Sequence, residues 1–259
     1  MEQDAKGIRS QSARYPKVQN LMHNVNEETL LAKHVRQSKK KATGVDGIDK
    51  LEYDKNAEGN IADLVLRMKR FSYRPQPVRR TYIPKADGRL RPLGIPSYED
   101  RLVQGVMADL LNEVYEVRFM DCSHGFRPER NAHDVVKYIY QTTMTRKVNY
   151  VLEADIKGFF DNVDHDWLMK FLANDIQDKN FLRYVKRFLI AGVMEGTETL
   201  DSEKGTPQGG QISPVLANVY LHYALDLWFE KVVKPKLSGE AYYVRFADDC
   251  APRMRGRAA

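Results

Sequence analysis

The sequence predicts an α+β fold in which a few short strands alternate with long helices. Three observations predict it. Apolar residues recur at helical spacing over long stretches, as in Leu102, Val103, Val106, Met107, Leu110, Leu111 and Val114. Short β-rich runs, such as 150–155 and 241–246, stand between those stretches. Capping and turn residues punctuate the boundaries where one period gives way to the other.

Taken in order, residues 1–14 are polar and are expected to be mobile. Asn26 is placed to cap a helix. Glu27 and Glu28 would sit at its positive end, and Leu30, Leu31, His34 and Val35 would form its apolar face. That helix runs into Lys39, Lys40 and Lys41, and turn residues at 43–47 break the chain. A second helix is predicted after Asn60, with Ile61, Leu64, Val65 and Met68 at helical spacing. Residues 79–83 and 90–95 read as strands joined by a turn at Ala86, Asp87 and Gly88. Ser97 and Asp100 have the spacing of a capping box at the head of the long helix named above. Further helices are predicted after Asn131, after Asp164 and near Asn180. A glycine-rich loop, 205–213, leads to Pro214 in the first turn of a helix that reaches about Phe229. The strand 241–246 ends in a turn of Ala247, Asp248 and Asp249.

The chain has 259 residues, 42% hydrophobic and 29% charged, enough for one large domain or two small ones with real cores. Its net charge of +6 hints at an anionic partner, most simply nucleic acid. Cys122 and Cys250 stand apart, without metal-type spacing, which fits a reduced, cytoplasmic compartment. No apolar run approaches the roughly 20 residues needed to cross a bilayer. Residues 1–12 lack the apolar core of a secretory signal.

Two carboxylate clusters carry the chemistry. Asp155 opens D-I-K-G-F-F-D at 155–161, and Asp248 and Asp249 close F-A-D-D at 246–249. A strand end holds a carboxylate on a rigid element. Two such ends side by side suit two divalent ions about 4 Å apart, and magnesium prefers carboxylate and phosphate oxygens. Taken singly, an Asp pair in a turn is ordinarily just solvated. The loop at 205–213 and the basic hairpin around Arg89 and Arg91 have equally plain readings in isolation. The case rests on their combination.

In that combination and order the chain resembles the group II intron-encoded reverse transcriptases, or intron maturases. The matching stretches are T-G-V-D-G-I at 43–48, Y-I-P-K-A-D-G-R-L-R-P-L-G-I-P at 82–96 and H-G-F-R-P at 124–128, followed by D-I-K-G-F-F-D at 155–161, G-T-P-Q-G-G-Q-I-S-P-V-L-A-N at 205–218 and Y-V-R-F-A-D-D at 243–249. Other reverse-transcriptase lineages, including retrons and bacterial defence systems, share several of them. The resemblance implies a right-hand polymerase fold with fingers and palm, and a palm built on a small antiparallel sheet. It implies Asp155 and Asp248 as metal ligands, the Ile156 carbonyl beside the first, and Asp249 completing the catalytic set. The cofactor would be two Mg²⁺ ions, with Mn²⁺ as an admissible substitute. Phe160 matches an aromatic gate against a ribose 2′-hydroxyl. Lys85 and Arg91 match cations that hold the triphosphate, and Gln208 and Gly209 match the loop against the nucleotide. Lys39, Lys40 and Lys41 fall in an extension that helps hold RNA. The implied partners are an intron RNA template, a DNA or RNA primer and deoxynucleoside triphosphates, with no membrane; a homodimer is compatible.

The expected domain organisation is a flexible 1–14, an N-terminal extension and fingers over 15–95, fingers and palm with the catalytic motifs over 96–249, and an atypical tail over 250–259. Pro252 suits a central strand poorly, so the tail reads as foreign to the fold and the chain as a right hand without its thumb. On that reading primer–template binding by this chain is weak. Two alternatives stay open from the sequence: an RNA-binding splicing cofactor without polymerase chemistry, and an inert relic of a mobile element.

Overall fold

The computed structural model describes residues 2–84, 88–146, 148–196, 198–200, 204–206, 209–250 and 253–254; for 2–6, 199 and 253–254 the backbone alone is described. The helices and strands run in the order α1 (Glu2–Arg14), α2 (Glu27–Val35), α3 (Lys50–Asp54), α4 (Ala57–Lys69), β1 (Val78–Pro84), β2 (Leu90–Ile95), α5 (Tyr98–Tyr115) and α6 (Ala132–Thr145). There follow β3 (Tyr150–Val151), β4 (Ala154–Asp155), α7 (His165–Asp175), α8 (Lys179–Leu189), β5 (Val193–Glu195), β6 (Glu198–Leu200) and α9 (Ser213–Leu221). The last strands are β7 (Ala241–Tyr242), β8 (Arg245–Phe246), β9 (Asp249–Cys250) and β10 (Arg253–Met254). After α9 the chain continues through π-helical turns at His222–Asp226 and Phe229–Val233. Among the described residues no helix is long and apolar enough to cross a membrane.

The core forms around α5, whose predicted apolar residues are all buried and which packs against α1, α2 and α9. Side-chain caps explain where several helices begin. The Asn26 side chain accepts from the Thr29 N–H, and Thr29 answers in a capping box. Asn131 and Asp134 do the same for α6, and the Asp164 and Asp178 carboxylates cap α7 and α8. Ser97 makes no such cap bond. Asp100 instead accepts from the Tyr73 hydroxyl and from the Gln76 N–H, so this acid ties α5 to the segment before β1. Val35 ends α2 and is 67% exposed, so it contributes nothing to the predicted apolar face.

The N-terminal segment departs from expectation. It forms α1, which buries Ile8. The Ser12 hydroxyl donates to the Val114 carbonyl at 2.7 Å and accepts from Arg118 Nε at 2.8 Å. Composition hides this, because the docking uses a buried apolar side chain, a small buried hydroxyl and an ion pair between Arg9 and Glu113 of α5.

Three sheets result among the described residues. In the first, β1 and β2 form the predicted hairpin, in register from Arg79↔Ile95 to Pro84↔Leu90. It is extended by β5, parallel to β1, and by β6, neither of which was predicted. The predicted strand 241–246 is interrupted at Tyr243 and Val244, so that β7 and β8 enter different sheets. One has the order β3-β10-β7 and the other β4-β9-β8, both antiparallel. The tail was expected to be foreign to the fold, yet Cys250 lies in β9, and Arg253 and Met254 form β10 between β3 and β7. Pro252 lies outside the described residues. The pairing resumes on its far side, where residues with an N–H can join the ladder.

Candidate active site

The three predicted aspartates lie on paired strands and the turn that joins two of them. Asp155 ends β4 and stands directly opposite Asp249 of β9. β9 also pairs with β8, Phe246 facing Asp249, so Ala247 and Asp248 form the two-residue turn between them. The carboxyl of Asp249 is held above the usual carboxylate range by burial and then by the negative charges of Asp248, Asp155 and Glu153. Glu153, two residues before Asp155, is a member of this acidic group that the motif reading missed.

The turn has a conformation that its sequence does not favour. Ala247 has φ +56, where glycine is the usual residue at the first central position of such a hairpin. For a residue with a Cβ this costs about 1–2 kcal/mol. Arg245 holds it there. Its side chain is fully buried, and Nη1 donates to the Ala247 carbonyl at 2.7 Å and to Asn218 Oδ1 at 3.0 Å. Nε and Nη2 take both oxygens of the buried Asp226, at 2.9 and 2.8 Å, and Nη2 also reaches Ser123 Oγ at 2.8 Å. Burial alone would depress the guanidinium; the Asp226 hydrogen bonds and charge outweigh it and raise its pKa. Asp226 is the last residue of the first π-helical turn, and such turns recur at functional sites.

The H-G-F-R-P segment braces the same turn. Arg245 N donates to the Cys122 carbonyl at 2.7 Å and His124 N to the Arg245 carbonyl at 2.9 Å, so this segment runs alongside β8. A Cβ on Gly125 would stand 2.2 Å from the Ala247 nitrogen, which only glycine permits. The Gly125 carbonyl accepts from Asn218 Nδ2 at 2.7 Å. Sequence reasoning missed Arg245, Asn218, Asp226 and Ser123 as supports. The available signal was a cation inside the apolar run Y-V-R-F.

Phe160 and Phe159 take different roles. Phe159 is buried in the core, whereas Phe160 is half-buried, its ring edge-on to the exposed Phe126 at 6.3 Å. The glycine-rich loop docks on this turn. Thr206 N donates to the Phe160 carbonyl at 2.7 Å and Gly205 N to the Val163 carbonyl at 2.8 Å. Gly209, at φ +111, passes so close to β2 that a Cβ would stand 2.3 Å from the Gly94 carbonyl. The loop therefore joins the turn at Phe160 to the β1–β2 hairpin. Gln208 and Lys85 lie outside the described residues. Arg91 is exposed on β2 opposite Ile83. The Ile156 carbonyl accepts from Phe159 N at 3.2 Å, which leaves one of its two lone pairs. Lys39, Lys40 and Lys41 are exposed on the turn after α2. The Lys41 ammonium is pushed down by burial and by Arg101 and Lys33.

Comparison with known proteins agrees with this arrangement. Residues 83–256 match the family described as Reverse transcriptase (RNA-dependent DNA polymerase). The chain belongs to the reverse transcriptase family. The match extends past Asp249, through β10. Among relatives, the group II intron-encoded protein LtrA of Lactococcus lactis subsp. cremoris is 41% identical over 167 residues, 64% of this chain and 28% of that protein. Protein YkfC of Escherichia coli (strain K12) is 33% identical over 234 residues, 88% of this chain and 61% of that protein. This reverse transcriptase chain thus spans about a quarter of the first relative and under two thirds of the second. Among solved structures, a chain of a partial Cas6-RT-Cas1–Cas2 complex superposes with a TM-score of 0.55 at 15% identity, over 92% of this chain and 38% of its own. That likeness bears on the reverse transcriptase fold alone. Within the family, the relatives that this chain resembles include a group II intron-encoded protein and a nuclear intron maturase of Arabidopsis thaliana, 32% identical over 96 residues, 36% of this chain and 13% of that protein.

Proposed function

We propose that this chain carries the nucleotidyl-transfer site of an RNA-directed DNA polymerase that copies group II intron RNA, extending a DNA or RNA primer with deoxynucleotides. One observation carries the reading. Asp155 and Asp249 face each other across two paired strands, with Asp248 on the adjoining turn and like charge crowding Asp249.

The donor set fits divalent cations, because hard oxygens dominate it and a dication would relieve the crowding. Among the described residues, no three His, Cys, Asp or Glu side chains already converge as a metal site. Magnesium commonly takes one or two carboxylates and completes its shell with substrate phosphate and water, so this arrangement suits it. Asp155 and Asp248 would hold the ions, with the remaining lone pair of the Ile156 carbonyl beside the first. Bound ions supply charge stabilisation at the attacking hydroxyl and the departing pyrophosphate.

The chain's own side chains orient the substrates. Arg91 and Lys85 bind triphosphate oxygens through charge-assisted hydrogen bonds. Gln208 and Gly209 lie against the nucleotide, and the Phe160 ring excludes a ribose 2′-hydroxyl that a looser pocket would admit. Lys39, Lys40 and Lys41 contact template phosphate.

Primer extension on an RNA template, with deoxynucleotides and Mg²⁺, tests this beside an Asp248→Ala control. Extension that disappears in the control supports the reading. Absence of extension by the parent chain, with RNA binding intact, replaces it with that of an RNA-binding splicing cofactor.

A further inference from the structure

A pocket of about 370 Å³ opens where the segment before α2 meets the end of α4 and the start of α8. Val25, Met68, Phe71 and Tyr184 wall it, and the exposed Lys69 and Asn180 border it. Its volume falls in the range of small-molecule sites, about 300–1,000 Å³. None of its lining residues belongs to the aspartate strands, the glycine-rich loop or the β1–β2 hairpin.

Phe71 is the unusual member. It closes α4 with φ +56. Ser72 N returns to the Arg67 carbonyl at 3.0 Å and Phe71 N to the Met68 carbonyl at 3.0 Å. This is the wrap-around helix end that glycine ordinarily completes, and an aromatic residue rarely adopts the left-handed conformation there. Arginines hold it in place. Arg74 Nη1 and Arg187 Nη2 donate to the Phe71 carbonyl at 3.0 and 3.1 Å. The Arg183 guanidinium lies over the Phe71 ring at 4.3 Å, and that of Arg187 over the Tyr184 ring at 4.9 Å. Tyr184 is fully buried behind the half-buried Phe71, so the Phe71 ring is the aromatic wall of the pocket, framed by cations.

The charge around the pocket is uncompensated. Lys69, Arg74 and Arg183 are exposed, and none forms an ion pair among the described residues. The nearby Asp178 carboxylate is committed to the N–H groups of Met22, Asn180 and Phe181. The Asn180 side-chain amide, one donor group and one acceptor, makes no hydrogen bond to a described residue and is available to a ligand.

We propose that this pocket receives one unpaired nucleobase of an RNA strand, with the flanking phosphates held by Lys69 and Arg183. Aromatic faces stack a base of any identity, an amide hydrogen-bonds its edge, and lysine and arginine neutralise phosphate. A duplex keeps its bases stacked and cannot fill the pocket. An acidic peptide would satisfy the charge but would leave the aromatic wall unused. The site is separate from the aspartates, so it stands or falls independently of the polymerase reading.

The test is fluorescence titration of the full chain, in an Asp248→Ala background and without Mg²⁺ or deoxynucleotides. The probe is a short single-stranded RNA bearing 2-aminopurine, and an RNA duplex of the same length is the comparison. Binding is expected to quench the fluorophore by stacking. Lys69→Glu with Arg183→Glu is expected to weaken single-strand binding about tenfold or more and to lower its salt dependence. Phe71→Asn, which tolerates the left-handed backbone, is expected to keep a salt-dependent interaction while losing the quench and about tenfold in affinity. Circular dichroism confirms that both variants fold. Unchanged affinity in the charge-reversal variant, an unchanged quench in Phe71→Asn, or equal affinity for the duplex would each overturn the proposal. So would preference for an acidic peptide over the RNA.

Discussion

The guanidinium of Arg245 donates to the carbonyl of Ala247, two residues further along the same chain, at 2.7 Å. That bond curls the strand end back on itself and fixes the turn from which Asp248 projects. The same guanidinium is neutralised by Asp226 with no exposure to solvent. Removing one partner of a buried pair strands the other charge and typically costs about 3–5 kcal/mol. Arg245→Met should therefore lower the stability measured by urea denaturation by about that much. Arg245→Met with Asp226→Leu should recover most of the stability but none of the primer extension, because nothing then holds the turn. Recovery of extension along with stability would refute the positioning role.

Phe160 sets the sugar specificity in the proposed reaction. Its ring is half-buried and its carbonyl is tied to Thr206, so a smaller side chain leaves the backbone in place. Phe160→Ala should reduce the preference for deoxynucleotides over ribonucleotides by roughly 10–200-fold, the range for a one-group steric contact. Single-nucleotide extension with each substrate measures the ratio. An unchanged ratio would assign discrimination to another residue.

Stability should respond to magnesium through the aspartates. A ligand at a hundredfold excess over its dissociation constant stabilises a fold by about 2.7 kcal/mol. Mg²⁺ should raise the melting temperature of the parent chain, and Asp155→Asn with Asp248→Asn should abolish the rise. Without metal, the same double variant should melt no lower than the parent, because it removes the like charges that crowd Asp249. A magnesium effect that survives in the double variant would place the cation elsewhere.

His222 makes the fold sensitive to mild acid. It is buried, edge-on to Phe119 at 5.7 Å, and its Nδ1 has no hydrogen-bond partner among the described residues. Burial pushes its pKa below the ordinary value, outweighing the pull of Asp226 and Asp175. The unfolded chain therefore takes up a proton first, at about pH 6.5. Stability is complete above that pH and falls as the pH drops from there toward the lower folded-state value. His222→Phe should flatten this part of the stability profile measured by denaturant melts between neutral and weakly acidic pH. An equally steep profile in the variant would assign the proton uptake to another group.

The sequence by itself determined most of the local elements and pointed to the candidate site. Caps such as Asn26, Asn131 and Asp164, and the apolar spacing along α5, depend on neighbours within about four residues, which a linear reading can inspect. The ordered motifs named the three aspartates before any geometry was known. Tertiary structure decided the rest, because pairing across distant segments has no local signature. It put Asp155 opposite Asp249, broke 241–246 into two strands of different sheets, and returned Arg253 and Met254 to a central position. It also docked the polar first helix through Ser12 and buried Arg245 behind the turn. A hydroxyl or guanidinium in a sequence reads as solvated. Only the burial of a distant carboxylate or carbonyl beside it makes it part of the frame that holds the site.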